Sequence, residues 1–320
     1  MFSVIIPLYN KAAYIEKAIR SVVAQTYKEF ELIVIDDGSK DEGWEIAQTL
    51  FSTLTPPLGG WVAIQQQNQG VSTARNNGVK LAKYDYIAFL DADDWWEPTY
   101  LEEMRALIDE YPEAGLYGSS YCVVKNNSKR LVRLGVEPDF KNGIINYFKV
   151  YAKTLEMPIW TGATIIKNDI FVSENGFKPQ LKLGEDFDLW VRVALKYPVA
   201  LLNKPLSNYN FDVESTAKAV VNDKTYLPQT HFIFNLDFLE ENERTNQDLK
   251  DLLDKLRVYT LLRYRLQHSY LPEVEKEIKK VDFSHQVLSV RLNYFLPVWI
   301  LNCWYDVQKF AHSFKKYLLE

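Results

Sequence analysis

Cysteine and histidine are scarce in this chain of 320 residues, and their scarcity argues against several chemistries. The two cysteines, Cys122 and Cys303, form no C-x-x-C pattern, so neither a disulfide framework nor a zinc site is expected. All four histidines lie from His231 onward, which leaves no histidine for a catalytic triad or a metal site in the part before them. So few thiols favour a reducing, cytoplasmic setting.

Basic charge and long apolar runs are also lacking. The formal net charge of −5 argues against a nucleic-acid binder, whose surface is normally basic. Residues 257–320 hold ten Lys and Arg against six Asp and Glu, so the first 256 residues carry −9. The opening run FSVIIPLY is too short for a signal peptide or a membrane span. Without a G-x-S-x-G, Walker or G-x-G-x-x-G motif, hydrolase and redox functions lose support.

What is present is an alternation of strand and helix patterns. FSVIIPLY at 2–9 precedes helical spacing at 12–23, and strand-like runs recur at 30–37, 61–67 and 84–90 with helical stretches between them. Uninterrupted apolar strands joined by helices predict an α/β fold with a mainly parallel, Rossmann-like sheet covered on both faces. Ligands of such sheets bind beyond the carboxyl ends of the strands.

The pattern changes along the second half of the chain. A hairpin is predicted at 115–135 with its turn at Asn126-Asn127, then a helix at about 141–153, a helix in GEDFDLWVRVALKYP, and closing strands in VALLN and PLSNYNF. Beyond about residue 213 only helical spacing recurs. We therefore predict one domain at 1–212, with halves at 1–114 and 115–212, and a helical C-terminal region at 213–320.

Three carboxylates crowd the end of the fourth strand, in FLDADDWW at 89–96. Like charges this close repel unless a cation or a donor compensates them. Asp91 and Asp93 share one face of an extended backbone, whereas Asp94 points elsewhere. Paired carboxylates suit Mg²⁺ or Mn²⁺, which complete their shells with water and substrate phosphates. The alternative is a solvated acidic turn that starts the next helix.

Three other stretches supply groups that a phosphate-containing ligand needs. In VIDDGS, Asp37 can accept hydrogen bonds from a base or ribose, or can cap the next helix. In GVSTARNNG, Arg75 is either a forked cation for phosphate or a surface arginine. In LGEDFDLWVR, Asp186 is either a proton acceptor that the helix dipole keeps ionised or an N-terminal cap of the helix. Glu185 precedes it, and Trp190 follows it by one helical turn.

Taken together, VIIPLYN, VIDDGS, GVSTARNNG, FLDADD, TGATIIKNDIF and GEDFDLWVR resemble the family 2 glycosyltransferases in order and spacing, over roughly residues 2–212. The resemblance implies a GT-A fold and inverting transfer of a sugar from a nucleotide diphosphate donor, with UDP-sugars favoured. The expected acceptor is a hydroxyl of a glycan or lipid-linked molecule in cell-surface polysaccharide synthesis. Because the Q-x-x-R-W motif of processive synthases is lacking, single addition is expected.

The resemblance also assigns roles to individual residues. The half at 1–114 would bind the nucleotide sugar and the half at 115–212 the acceptor. Asp186 would be the general base, and Mn²⁺ or Mg²⁺ would bind at Asp93 and Asp91, with Asp94 assisting. The implied nucleotide contacts are Pro7, Tyr9, Asp37, Arg75 and Asp91, and the implied acceptor contacts are Trp160, Thr161, Gly162, Glu185 and Trp190.

The C-terminal region suggests a contact surface. Apolar residues near one helical stripe stand beside Lys309, Lys315 and Lys316, namely Leu292, Leu296, Trp299, Ile300, Cys303, Val307, Phe310 and Phe314. Such a segment suits the peripheral surface of an anionic membrane, or packs on the catalytic domain or in a homodimer. Arg291, Asn293 and Pro297 argue against a transmembrane span.

Two other functions stay open. A sugar nucleotidyltransferase on a similar sheet would need a glycine-rich basic loop after the first strand, and PLYNKAAY is not such a loop. A non-catalytic nucleotide-binding or scaffold protein would use the helical tail to bind a partner.

Overall fold

The computed structural model describes residues 1–213 and 225–303. The chain divides into two compact units, Met1–Val221 and Asn222–Glu320. In the described part of the first unit, ten strands form one sheet flanked by helices. The predicted α/β fold with a helical region after it is confirmed.

The first half of this unit alternates strands and helices as predicted. Its elements are β1 (Phe2–Leu8), α1 (Ala12–Val23), β2 (Phe30–Asp36), α2 (Gly43–Thr53), β3 (Trp61–Gln65), α3 (Val71–Leu81) and β4 (Tyr86–Phe89). Strands β3, β2, β1 and β4 lie side by side in that order and are parallel. Every residue of β1 and β2 is buried, because helices cover both faces of the sheet.

Parallel pairing brings several polar strand ends together. Leu8, the last residue of β1, lies opposite Asp36 at the end of β2, and the Asp37 amide donates to the Leu8 carbonyl over 2.7 Å. Phe89, the last residue of β4, lies opposite Ile5 of β1. Tyr9, Asp37 and the acidic cluster after β4 therefore reach the same edge of the sheet.

The second half extends the sheet with strands that pair mostly, but not entirely, antiparallel. Its elements are β5 (Trp95–Trp96), α4 (Tyr100–Glu110), β6 (Leu116–Lys125), β7 (Ser128–Leu131), β8 (Asn142–Ile145), α5 (Tyr147–Thr154), β9 (Thr164–Lys167), α6 (Asn168–Ser173), α7 (Glu185–Ala194) and β10 (Val199–Asn210). The sheet continues from β4 through β9, β6 and β10 to β5, with β7 on β6 and β8 on β10. Asn126 and Asn127 form the predicted hairpin turn with left-handed φ values of 49° and 59°.

Two secondary-structure predictions in this half are wrong. Residues 142–145 form a strand that pairs antiparallel with β10, and the helix begins only after Asn146, whose side chain accepts from the Lys149 amide over 3.0 Å. This asparagine caps α5, so the helical spacing cannot extend back through Gly143. The two closing strands are one strand, β10, whose pairing shifts around Pro205 because proline has no amide hydrogen to donate.

Glycine at position 78 lets α3 pack closely on the sheet. A Cβ at Gly78 would lie 2.6 Å from Cγ2 of Ile5, a fully buried β1 residue. We expect Gly78→Ala to lower the free energy of unfolding by about 1–2 kcal/mol, since crowding outweighs the gain in helix propensity. Urea unfolding followed by circular dichroism measures this, with exposed Lys80→Ala as the control on the same helix. An unchanged Gly78→Ala midpoint would contradict the tight packing.

Within residues 225–303 of the second unit, the structure describes helices joined by loops and no strand. It contains α8 (Glu240–Thr245), α9 (Gln247–Leu266), α10 (Leu271–Ile278) and α11 (Leu288–Phe295). Arg257 of α9 is fully buried, and its guanidinium contacts Glu243 over 2.9 Å and Glu277 over 3.4 Å. These ion pairs join α8 and α10 to α9.

The predicted apolar stripe is only partly described. Leu292 and Trp299 are 44% and 70% exposed, and α11 ends at Phe295, just before Pro297. Val307, Phe310, Phe314 and the three lysines beside them lie outside the described residues. Across the ranges that the structure covers, no helix combines the length and apolar character that crossing a membrane requires.

Candidate active site

A cavity of about 430 Å³ opens at the carboxyl edge of the parallel strands. It collects side chains from β1, the loop after β2, α3, the segment after β4, α7 and β10. Eight residues selected from the sequence line it: Pro7, Tyr9, Asp37, Arg75, Asp91, Asp93, Asp94 and Glu185. Lys11 and Tyr209 also line the cavity, although no local sequence pattern marks either of them.

Asp37 holds the loop that leads into α3. The side chain is 2% exposed, and one of its oxygens accepts from the Gln66 side chain over 2.8 Å and from the Gln69 amide over 2.9 Å. The other oxygen accepts from the Gly70 amide over 2.8 Å. Gly70 has a left-handed φ of 91° and lines the cavity. Asp37 therefore shapes this wall, and its contact with a nucleobase stays a prediction.

Arg75 joins two carboxylates from distant parts of the chain. Its guanidinium contacts Asp91 over 2.6 Å and Glu185 over 3.1 Å, and it lies 5.2 Å from the centre of the Phe177 ring. The side chain is 4% exposed. Burial opposes its charge, but Asp91 and Glu185 outweigh that effect, so the pKa of Arg75 lies above its ordinary value. Arg75 thus connects the acidic cluster to the first residue of α7.

Lys11 provides a cation for the acidic cluster from within the chain. Its ammonium lies 2.6 Å from Oδ2 of Asp93, and the two side chains are 13% and 16% exposed. Burial raises the pKa of Asp93 above its ordinary value, against the opposing charge of Lys11 and with a further contribution from Asp91. The expected compensation of crowded carboxylates is thus supplied in part by Lys11 and Arg75.

Asp94 has a different environment from the other two aspartates. It is 1% exposed, and its Oδ1 accepts from the Asn210 amide over 2.7 Å. Its Oδ2 is buried and has no hydrogen-bond partner among the described residues. Burial, followed by the charges of Asp93 and Asp91, raises the pKa of Asp94 well above its ordinary value. This side chain holds the end of β10 and is suited to the neutral form.

The acidic cluster fits a divalent cation that is shared with a ligand. Within residues 1–213 and 225–303, no three His, Cys, Asp or Glu side chains converge as a complete metal site. Asp91 and Asp93 nevertheless line one cavity wall and have the oxygen donors that Mg²⁺ and Mn²⁺ prefer. Such ions commonly take only one or two carboxylates and add phosphate oxygens and water.

Asp186 is held by two hydrogen-bond donors. Its Oδ1 accepts from the Phe187 amide over 2.7 Å, and its Oδ2 accepts from the Thr161 hydroxyl over 3.1 Å. Burial raises the pKa of Asp186, while the Phe187 amide, Arg75 and Thr161 oppose that rise. Burial and Asp186 likewise raise the pKa of Glu185, against the charge of Arg75. The carboxylate of Asp186 is therefore fixed in direction, and its pKa lies above the ordinary value of an aspartate.

The structure changes the roles of three predicted acceptor contacts. Trp190 is fully buried, with its ring centre 5.7 Å from that of Phe177, so it belongs to the core. Thr161 is 2% exposed, and its hydroxyl is directed at Asp186. Gly162 is buried, and a Cβ there would lie 2.6 Å from the Trp160 ring. All three are enclosed by protein in this ligand-free structure, and their contacts with an acceptor stay predictions.

The other two predicted acceptor residues are not fully buried. Trp160 is partly buried, with its ring centre 4.9 Å from Tyr121 and 5.1 Å from Tyr209. Glu185 lines the cavity while bound to Arg75. Their contacts with an acceptor stay predictions.

The architecture matches solved structures of one enzyme. Staphylococcus aureus TarS residues 1–349, in a crystal structure with UDP-GlcNAc, superimposes with a TM-score of 0.59 at 20% identity, over 87% of this chain and 89% of TarS. The structure without ligand gives a TM-score of 0.57 at 21% identity over the same shares. The fold is that of a GT-A glycosyltransferase.

Sequence comparison defines the family more narrowly. The family model described as glycosyl transferase family 2 matches residues 3–164, and this chain belongs to that family. The glycosyltransferase GlyA of Streptococcus pneumoniae is 38% identical over 219 residues, which are 65% of this chain and 30% of GlyA. An uncharacterized glycosyltransferase of Haemophilus influenzae is 27% identical over 232 residues, 69% of this chain and 74% of that protein. The matched region spans about a third of the length of GlyA and of two uncharacterized glycosyltransferases, from Rickettsia felis and Rickettsia conorii.

Proposed function

We propose that this protein transfers a sugar from a nucleotide diphosphate donor to an acceptor hydroxyl, with inversion and with Asp186 as the general base. One observation carries the proposal. Arg75 connects Asp91, at the wall of the cavity, to Glu185, the residue before Asp186. A donor held at the strand ends would therefore meet a fixed proton acceptor.

The donor we favour is a UDP-sugar. Family membership and the fold shared with TarS, whose structure was solved with UDP-GlcNAc, support this choice. Pro7, Tyr9 and Asp37 would contact the nucleoside from the ends of β1 and β2. Arg75 and Lys11 are the cations on the cavity wall that lie nearest to the acidic cluster in the described structure, and they would balance the diphosphate charge.

Asp93 and Asp91 would hold Mn²⁺ or Mg²⁺ together with the diphosphate oxygens. When bound, the cation would neutralise charge on the leaving diphosphate. In the ligand-free protein, ion pairs with Lys11 and Arg75 hold the carboxylates of Asp93 and Asp91 at the cavity wall.

The transfer needs one base and no protein nucleophile. The acceptor oxygen bonds to the anomeric carbon as the bond from that carbon to the diphosphate breaks. The bonding electron pair leaves with the diphosphate, and the acceptor proton passes to the carboxylate of Asp186. Attack opposite the leaving group inverts the anomeric carbon.

The acceptor and the setting follow from the family resemblance. A glycan or lipid-linked acceptor of cell-surface polysaccharide synthesis, met in the cytoplasm or at the membrane periphery, stays a prediction. The same holds for a homodimer or membrane contact through the helical C-terminal region.

Donor binding should raise the melting temperature of the protein. At a donor concentration of about 100 times Kd with Mn²⁺, binding contributes about 2.7 kcal/mol, equivalent to several degrees for a unit of this size. We expect Asp93→Asn to lose most of the Mn²⁺-dependent shift, whereas Asp109→Asn, a 57% exposed partner of Arg105, keeps it. Differential scanning fluorimetry with UDP-, GDP- and dTDP-sugars measures both.

Two results would count against this function. If no nucleotide sugar shifts the melting temperature, a non-catalytic scaffold is favoured. Release of pyrophosphate from a nucleoside triphosphate and a sugar phosphate would instead identify a sugar nucleotidyltransferase.

A further inference from the structure

The hydroxyl of Thr161 has a specific relation to Asp186. Thr161 begins a short 3-10 turn, Thr161–Ala163, that leads into β9, while Asp186 lies in the first turn of α7. The hydroxyl donates to Oδ2 over 3.1 Å, and the Phe187 amide donates to Oδ1 over 2.7 Å. Each carboxylate oxygen thus has one fixed donor, which leaves a defined lone pair on each for a further proton.

The turn that carries Thr161 is anchored from two strands. The Gly162 carbonyl accepts from the Trp96 indole over 2.7 Å and from the Ser207 hydroxyl over 2.7 Å. Both bonds are buried. The Thr164 hydroxyl donates to the Trp160 carbonyl over 2.6 Å, which closes the turn on itself. A threonine on a turn held this way keeps its hydroxyl in one place.

The groups around Asp186 do not offer a second neutral donor of this kind. Arg75, Asp91 and Glu185 act on it as charges, and they belong to the network that lines the donor cavity. Three tyrosine side chains on β6 and α5 lie close enough to Asp186 for its negative charge to raise their pKa values. They are Tyr121, Tyr147 and Tyr151. Burial raises the pKa of all three, so they stay neutral, and among the described residues Asp186 receives side-chain hydrogen bonds from Thr161 alone.

We propose that Thr161 is a positioning residue for the general base: its hydroxyl orients the carboxylate of Asp186 and stabilises the ionised form that accepts the acceptor proton. This inference rests on the proposed function. It gives Thr161 a role that does not depend on direct contact with the acceptor. It also assigns a role to Trp96 of the DDWW stretch, because the indole of Trp96 anchors the turn that positions the base.

Loss of the hydroxyl has a defined effect on the pH profile. A hydrogen bond to the charged form lowers a carboxyl pKa, so removing it raises the pKa of Asp186. The acid limb of kcat against pH then moves to higher pH, and kcat near neutrality falls by about tenfold to hundredfold, the usual effect of a hydrogen bond to a charged group. KM for the donor stays unchanged, since Thr161 is not among the residues that line the cavity.

The test compares Thr161→Val with Thr161→Ser in the full chain. The assay is hydrolysis of the nucleotide sugar that the wild type cleaves fastest among UDP-, GDP- and dTDP-sugars with Mn²⁺, with water as acceptor. We expect Thr161→Val to move the acid limb of kcat against pH to higher pH and to lower kcat. Thr161→Ser should show the wild-type pH profile and the wild-type kcat. If valine does not fold, as judged by circular dichroism, Thr161→Cys takes its place, because a thiol is a weak donor of similar size.

The outcomes separate the two proposals. Wild-type and valine profiles that coincide would overturn the role of Thr161 and leave the glycosyltransferase intact. A serine variant as impaired as valine would also overturn it, because a merely structural role would then suffice. A wild type that cleaves no nucleotide sugar would overturn the proposed function and this inference with it.

Discussion

Asp186→Asn is expected to lower kcat for sugar transfer by a factor of about 100 to 10,000, because the amide cannot accept the acceptor proton. Donor binding should remain, since Asp186 is outside the cavity lining. Because burial raises the pKa of Asp186, the wild-type rate should increase as pH rises through that pKa, and this limb should disappear in the variant. Steady-state release of the nucleoside diphosphate across pH measures both effects.

Asp139→Asn is the matched control for this substitution. It makes the same chemical change at an exposed position and should leave kcat unchanged. An Asp186→Asn enzyme that keeps the wild-type kcat and pH profile would show that another group accepts the proton. The assignment of the base, rather than the family, would then be wrong.

Arg75→Ala is expected to lower the free energy of unfolding by about 3–5 kcal/mol, the usual cost of removing one partner from a buried ion pair. Asp91 and Glu185 would both lose their cation, and Glu185 already has a raised pKa from burial and Asp186. Each kcal/mol corresponds to about 2–4 °C in melting temperature for a unit of this size. Thermal unfolding followed by circular dichroism measures the loss, and donor binding should weaken as well.

Arg20→Ala provides the comparison for an exposed ion pair. Arg20 and Glu16 are 53% and 55% exposed, and pairs of this kind contribute about 0–1 kcal/mol. If Arg75→Ala and Arg20→Ala have the same melting temperature, the ion pairs that Arg75 makes with Asp91 and Glu185 do not stabilise the fold. Arg75 would then act on the ligand only, as the sequence pattern suggested.

The parts of this protein that could be predicted are those set by local patterns. Uninterrupted apolar runs such as FELIVID predict buried parallel strands, and parallel strands bring their carboxyl ends to one edge. That geometry alone groups Tyr9, Asp37 and Asp91 around a single cavity. The asparagine pair at 126 and 127 likewise predicts a tight turn, since asparagine tolerates left-handed backbone.

The contacts that define the chemistry were not predictable in the same way. Lys11 pairs with Asp93 across 82 positions, and Arg75 pairs with Glu185 across 110. No periodicity encodes such partners, because side-chain pairing depends on where the sheet places each strand end. The sequence thus indicated Arg75 as a cation for phosphate, but its protein partners emerged only from the fold. The burial of Trp190 was not predictable for a related reason, because its helical spacing after Asp186 does not reveal that this face of α7 packs in the core.

The ion pairs of Lys11 and Arg75 have a consequence for the resting protein. Their cations offset part of the charge of the crowded carboxylates, but five acidic side chains line the cavity against these two cations, so the ligand-free pocket remains acidic. A donor arriving with its counterion would exchange partners with these side chains and would add little net charge to the pocket. Under the proposed function, turnover in such a site would be a cycle of partner exchange, in which departure of the diphosphate would return the aspartates to Lys11 and Arg75.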